Sequence, residues 1–67
     1  MLTEDKIRKL YKVSCDKTAR ASLHSNMVDL IVYKSMTATY AVILQIPKEQ
    51  VEADITVSKI VMDNEKQ

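Results

Sequence analysis

Residues 28–46, VDLIVYKSMTATYAVILQI, decide the fold, because they are the most apolar part of this 67-residue chain and carry only two charged side chains, Asp29 and Lys34. The stretch reads either as one helix or as paired strands. Its Val, Ile, Tyr and Thr suit strands, and KSMT at 34–37 makes a poor hairpin turn. Alternation argues the other way. Residues 30–33 and 40–44 are apolar almost without interruption, a pattern for strands covered on both faces, and a chain this short has little left to cover them. The sequence therefore predicts a helix over 27–46.

The flanking segments agree. The chain has no glycine, and its one proline is Pro47, so everything before that point lacks the residues that favour tight turns. A first helix is expected from Thr3, an N-cap residue followed by Glu4 and Asp5 where the helix dipole favours negative charge, to about Leu23. At about 100° per residue, Ile7, Leu10, Tyr11, Ser14, Thr18 and Ala21 share one face of it, and Lys6, Arg8, Lys9, Lys12, Lys17 and Arg20 spread over the other. His24, Ser25 and Asn26 form the expected turn, with Ser25 or Asn26 capping the second helix and Asp29 placed as in a capping box. Pro47 suits the first turn of a third element and pushes the residue before it out of helical geometry. In that element Val51, Ile55, Ser58 and Met62 share a face, with Ala53, Val57, Ile60 and Val61 beside it. Helix is the leading reading there and strand the alternative. The predicted fold is all-α: one domain over 1–67, a helical hairpin plus a C-terminal helix, packing into an oligomeric helical bundle.

Oligomerisation follows from size. Domains of about 60 residues bury only about 60% of their unfolded surface and usually add a staple. One cysteine, Cys15, forms no intrachain disulfide, and a single histidine, His24, leaves no Cys/His zinc set. The apolar helix points the same way. Val28, Leu30, Val32, Tyr33, Met36, Tyr40, Ile43, Leu44 and Ile46 occupy most of its circumference, more than two amphipathic neighbours cover. Each buried Leu, Ile or Val contributes about 1.5 to 3 kcal/mol, so leaving several wet offsets much of a typical stability of about 5 to 15 kcal/mol. A homo-oligomer is expected, with Leu30, Tyr33, Met36, Tyr40, Ile43 and Leu44 at its interface and the small Ser35, Ala38, Thr39 and Ala41 admitting a second helix closely.

Charge is uneven along the chain. Residues 1–24 carry six Lys/Arg against three Asp/Glu, and residues 47–67 carry three against five, which favours packing of the first helix against the third. Exposed pairs contribute only about 0 to 1 kcal/mol each. Arg8, Lys12 and Arg20 lie along the basic side and are the candidate phosphate or anion contacts, for nucleic acid or a nucleotide. Against that, Asp5 and Asp16 blunt the potential and no aromatic platform or glycine-rich phosphate loop accompanies them. Cys15 reads as a small packed side chain and His24 as a partner of the helix dipole rather than as catalytic groups. No carboxylate pair or metal-ligand spacing stands out. The charged N-terminal residues do not resemble a signal peptide, and Asp29, Lys34 and Gln45 leave an uncharged run of about 12 residues, short of the roughly 18 a bilayer span needs. These features lead to the expectation of a cytoplasmic, non-enzymatic protein without cofactor or membrane span, acting through protein contacts as a regulator, adaptor or inhibitor.

Overall fold

The computed structural model describes residues 3–65 and consists of three α-helices, with no strand among the described residues. α1 spans Glu4–Leu23, α2 Met27–Leu44 and α3 Lys48–Glu65. The all-helical reading holds, and the strand alternatives for 28–46 and for the C-terminal element fall away.

Each helix starts on a local hydrogen bond. The Thr3 hydroxyl accepts from the Lys6 amide at 3.3 Å. Asn26, not Ser25, caps α2: its side-chain oxygen accepts from the Asp29 amide at 3.2 Å, while its amide group donates to the Asp29 carboxylate at 2.9 Å. The first bond satisfies one of the orphaned backbone donors of the helix start, and the second holds the two side chains together. Pro47 precedes α3 instead of opening it, and its carbonyl accepts from the Gln50 and Val51 amides at 3.0 and 3.1 Å.

The helix ends show how a chain without glycine turns. Ser25 and Gln45 take the left-handed conformation, with φ of 55° and 58°. After each, the next residue donates back across the turn, Asn26 to the Ala21 carbonyl at 2.9 Å and Ile46 to the Ala41 carbonyl at 2.8 Å. This closes the last helical carbonyls. It also explains why α2 stops at Leu44, two residues short of its apolar run.

α1 is the central helix. It packs against both α2 and α3, whereas α2 and α3 touch each other least. The sequence reading placed the apolar helix between two amphipathic neighbours; the physical reason for the difference lies in side-chain size. α1 buries Ser14, Cys15, Thr18, Ala19 and Ala21, and α2 meets the core with Thr37 and Ala41. Small side chains let backbones approach closely, and a helix rich in them on more than one side can serve two partners. Tyr11 and Ile55 are the large members of the core, with Tyr40, Leu44, Ile46, Val51 and Met62 packed around it.

Left-handed geometry costs a residue with a Cβ about 1 to 2 kcal/mol, against about 0.5 to 1 kcal/mol for the added freedom of glycine in the unfolded chain. Gln45→Gly is therefore expected to stabilise the protein by about 0.5 to 1 kcal/mol, read as a higher urea midpoint, and Gln45→Val to lower it.

Candidate functional site

Two surfaces are the candidates, the outer face of α2 and the groove between α1 and α3. On α2 the inward side is set by Thr37 and Ala41, with Leu30, Tyr33, Tyr40 and Leu44 half-buried next to them. Thr37 is fixed by two contacts of its hydroxyl, 2.8 Å to the Tyr33 carbonyl and 3.2 Å to the Thr18 hydroxyl of α1. Lys17 of α1 lies over the Tyr33 ring, its Nζ 5.3 Å from the centroid, and adds a cation–π contact to the same seam.

The opposite side of α2 is apolar and open. Val28 is 71% exposed, Ile31 63% and Val42 77%, with Val32 and Ile43 about half exposed. At about 100° per residue these fall on one continuous face, with Ser35, Ala38 and Thr39 along its middle. Neither charged residue of α2 interrupts it, since Asp29 and Lys34 stand at its two edges. Toward α3 the face runs into a cleft of about 300 Å³ whose walls include Ala38, Val42, Ile46, Val51 and Ile55. By length and composition alone, α2 is also long and apolar enough to cross a bilayer.

The interface residues expected from the sequence are divided by this geometry. Met36 and Ile43 lie exposed, whereas Tyr40 and Leu44 pack against the chain's own core, and Leu30 and Tyr33 are partly covered. Val28, Ile31, Val32 and Val42 are the exposed members that the sequence reading did not list for the interface. No signal within α2 marks them, because small residues stand on both sides of the helix: Thr37 and Ala41 face the protein, and Ser35, Ala38 and Thr39 face out.

The anion candidates are divided as well. Arg8 and Lys12 border one cleft of about 410 Å³ between α1 and α3, together with Tyr11, Gln50 and Asp54. Arg20 lines neighbouring depressions, one of which it shares with Lys12, Asp16 and Glu65. Arg8 is paired with Glu4 at 3.1 Å in an exposed i,i+4 bridge. The acids of this groove are already engaged: Tyr11 donates to Asp54 at 2.6 Å, Gln50 donates to Asp54 at 2.9 Å, and Ser58 donates to Asp16 at 2.8 Å. The Tyr11–Asp54 and Ser58–Asp16 bonds fasten α3 to α1, while the Gln50–Asp54 bond lies within α3.

The nucleophile and proton-transfer inventory is short. Burial pushes the Tyr11 phenol well above its usual range, reinforced by its hydrogen bond to Asp54. Burial likewise pushes the Cys15 thiol up, partly offset by Tyr11, which leaves it a protonated packing residue at neutral pH. His24 is exposed at the C-cap of α1, where its backbone amide donates to the Arg20 carbonyl. Among the described residues, no group of three or more His, Cys, Asp or Glu is placed to hold a metal ion. No protein-family model matches the chain, and no curated protein or solved structure matches it.

The raised Tyr11 and Cys15 values make stability depend on alkaline pH. Both groups keep their protons in the folded state and lose them more readily when unfolded. Their contribution is complete below the ordinary values, about 8.5 for a thiol and about 10 for a phenol, and is lost progressively as pH rises beyond them. Tyr11→Phe removes a charge-assisted hydrogen bond and is expected to cost about 1.5 to 3 kcal/mol at pH 7. It is also expected to make the loss of stability above about pH 10 shallower, as measured by urea unfolding across pH.

Proposed function

We propose that this chain is a small non-enzymatic interaction protein that associates with copies of itself and acts as a regulator, adaptor or inhibitor by occupying a partner protein. It works in the cytoplasm, without a cofactor and without crossing a membrane. One observation carries the reading: the outer side of α2 carries no charge, is apolar apart from Ser35 and Thr39, and is uncovered. Fully burying a Val or Ile is worth about 1.5 to 3 kcal/mol, so covering five half-exposed ones returns several kcal/mol, comparable to the stability of a domain this small. Surfaces of that kind on soluble proteins mark association sites. Lys34, near the middle of α2, and Asp29 support association over membrane insertion, because each is costly in a bilayer core.

Mass in solution tests this directly. The chain is expected to be a dimer or larger at micromolar concentration and above, and Val42→Glu, at the most exposed position of the face, to shift it to monomer while helix content by circular dichroism is retained. A wild-type monomer throughout that range removes the reading.

A second reading is favoured by the placement of Arg8 and Lys12 on one cleft: binding of a nucleic acid or nucleotide through phosphates, with the patch doubled in a dimer. Asp54 and Asp16 lie in the same groove and oppose this reading, because their neutral hydrogen-bond donors do not cancel a carboxylate's charge. Arg8→Glu with Lys12→Glu is expected to abolish binding to whichever of DNA, RNA or nucleotides the wild-type chain retains at low salt. If the wild type binds none, or if charge reversal leaves binding unchanged, this second reading is wrong.

A further inference from the structure

We infer that two copies of this chain pair antiparallel through α2, with Ser35 on the two-fold axis. The inference rests on the self-association proposed above and adds its geometry. The area is suited to it. Val28, Ile31, Val32, Val42 and Ile43 each expose about half to three quarters of their surface. Together they form a patch on the order of 600 Å², at the upper end of the roughly 300 to 600 Å² that monomers leave open and approaching the roughly 800 Å² per partner of a stable complex.

Chemistry selects a second copy over a lipid surface. A helix lying in a membrane interface places Trp or Phe on its apolar side and Lys or Arg along its polar side. This chain has neither Trp nor Phe, the two tyrosines of α2 turn toward the protein, and α2 contributes only one cation. Its free face has instead branched side chains at both ends and small ones at the centre, which is the composition of a helix–helix contact.

Direction and register follow from side-chain volume and charge. In a parallel pair each residue meets its own copy, so Ile31 opposes Ile31 while Ala38 opposes Ala38, which makes one seam wide at one point and hollow at another. An antiparallel pair centred on Ser35 sets Ile31 against Thr39 of the other copy, Val32 against its Ala38, and Val28 against its Val42. Large meets small at two of the three positions, the arrangement that fills space without strain. Thr39 brings no unsatisfied hydroxyl, since its Oγ1 donates to the Ser35 carbonyl at 3.0 Å. The antiparallel pair also opposes the two helix dipoles and keeps each Asp29 at the far end from its copy, whereas a parallel pair brings the two carboxylates to the same end.

Thiol cross-linking of the full-length chain reads this geometry. Cys15 is 2% exposed, so the wild type serves as the blank. Under mild oxidation Ser35→Cys is expected to form a self-linked dimer at least about ten-fold above that blank, because pairing raises the local thiol concentration. Val28→Cys mixed with Val42→Cys is expected to give the mixed dimer, and Val28→Cys alone to stay unlinked. Circular dichroism and mass under reducing conditions confirm that each variant remains helical and associated. Efficient self-linking of Val28→Cys, or no linking of Ser35→Cys in a chain that is dimeric by mass, overturns the antiparallel register while leaving self-association standing. A wild-type chain that is monomeric by mass overturns both.

Discussion

The structure depends on the close seam between α1 and α2. Thr18 and Thr37 face each other there with their hydroxyls 3.2 Å apart, and Ala19 and Ala41 are buried nearby. Each threonine also donates to a carbonyl one turn back on its own helix, at 2.7 and 2.8 Å, so the seam is narrow without stranding a polar group. A seam of this kind excludes bulky side chains. Leu30, Tyr33, Tyr40 and Leu44 flank it half-buried, and the other large apolar residues of α2 end up on the outside.

That displacement links packing to function. In a larger domain another layer covers the outer side of such a helix, but α3 is committed to α1 by the Tyr11–Asp54 and Asp16–Ser58 hydrogen bonds and leaves α2 largely alone. The chain is thereby divided into a tied pair, α1 with α3, which itself leaves Val57, Ile60 and Val61 about half exposed, and a more apolar helix, α2, with one free side. Association through α2, as proposed, would leave the α1–α3 groove facing solvent. Cations of α1 line this groove together with Asp54 of α3 and Asp16 of α1, both of which accept from neutral donors.

Much of the secondary structure was legible in the residues. The lack of glycine, the unbroken apolar runs of 28–46, the Thr3 cap and the break at Pro47 located three helices to within a few residues. The errors were local. Ser25 reads as an alternative cap but takes a left-handed turn, and α2 ends two residues early because Gln45 does the same; polar residues adopt that conformation too seldom for a sequence without glycine to advertise it. The candidate surfaces were legible only in part. A helical wheel shows that most of α2 is apolar, but it cannot say which arc the chain itself will cover, so Tyr40 and Leu44 were grouped with residues that prove to lie on the other side.

The amino-acid sequence by itself determined that the chain is helical, where the helices start and break, and that it carries more apolar surface than its length can hide, because those properties follow from periodicity, capping chemistry and composition. Only the tertiary structure decided which helix is central and which side of α2 stays open. Those outcomes turn on how closely two backbones approach, and that distance is set by the joint placement of small residues on different helices, Thr18 and Ala19 against Thr37 and Ala41, which no single segment contains.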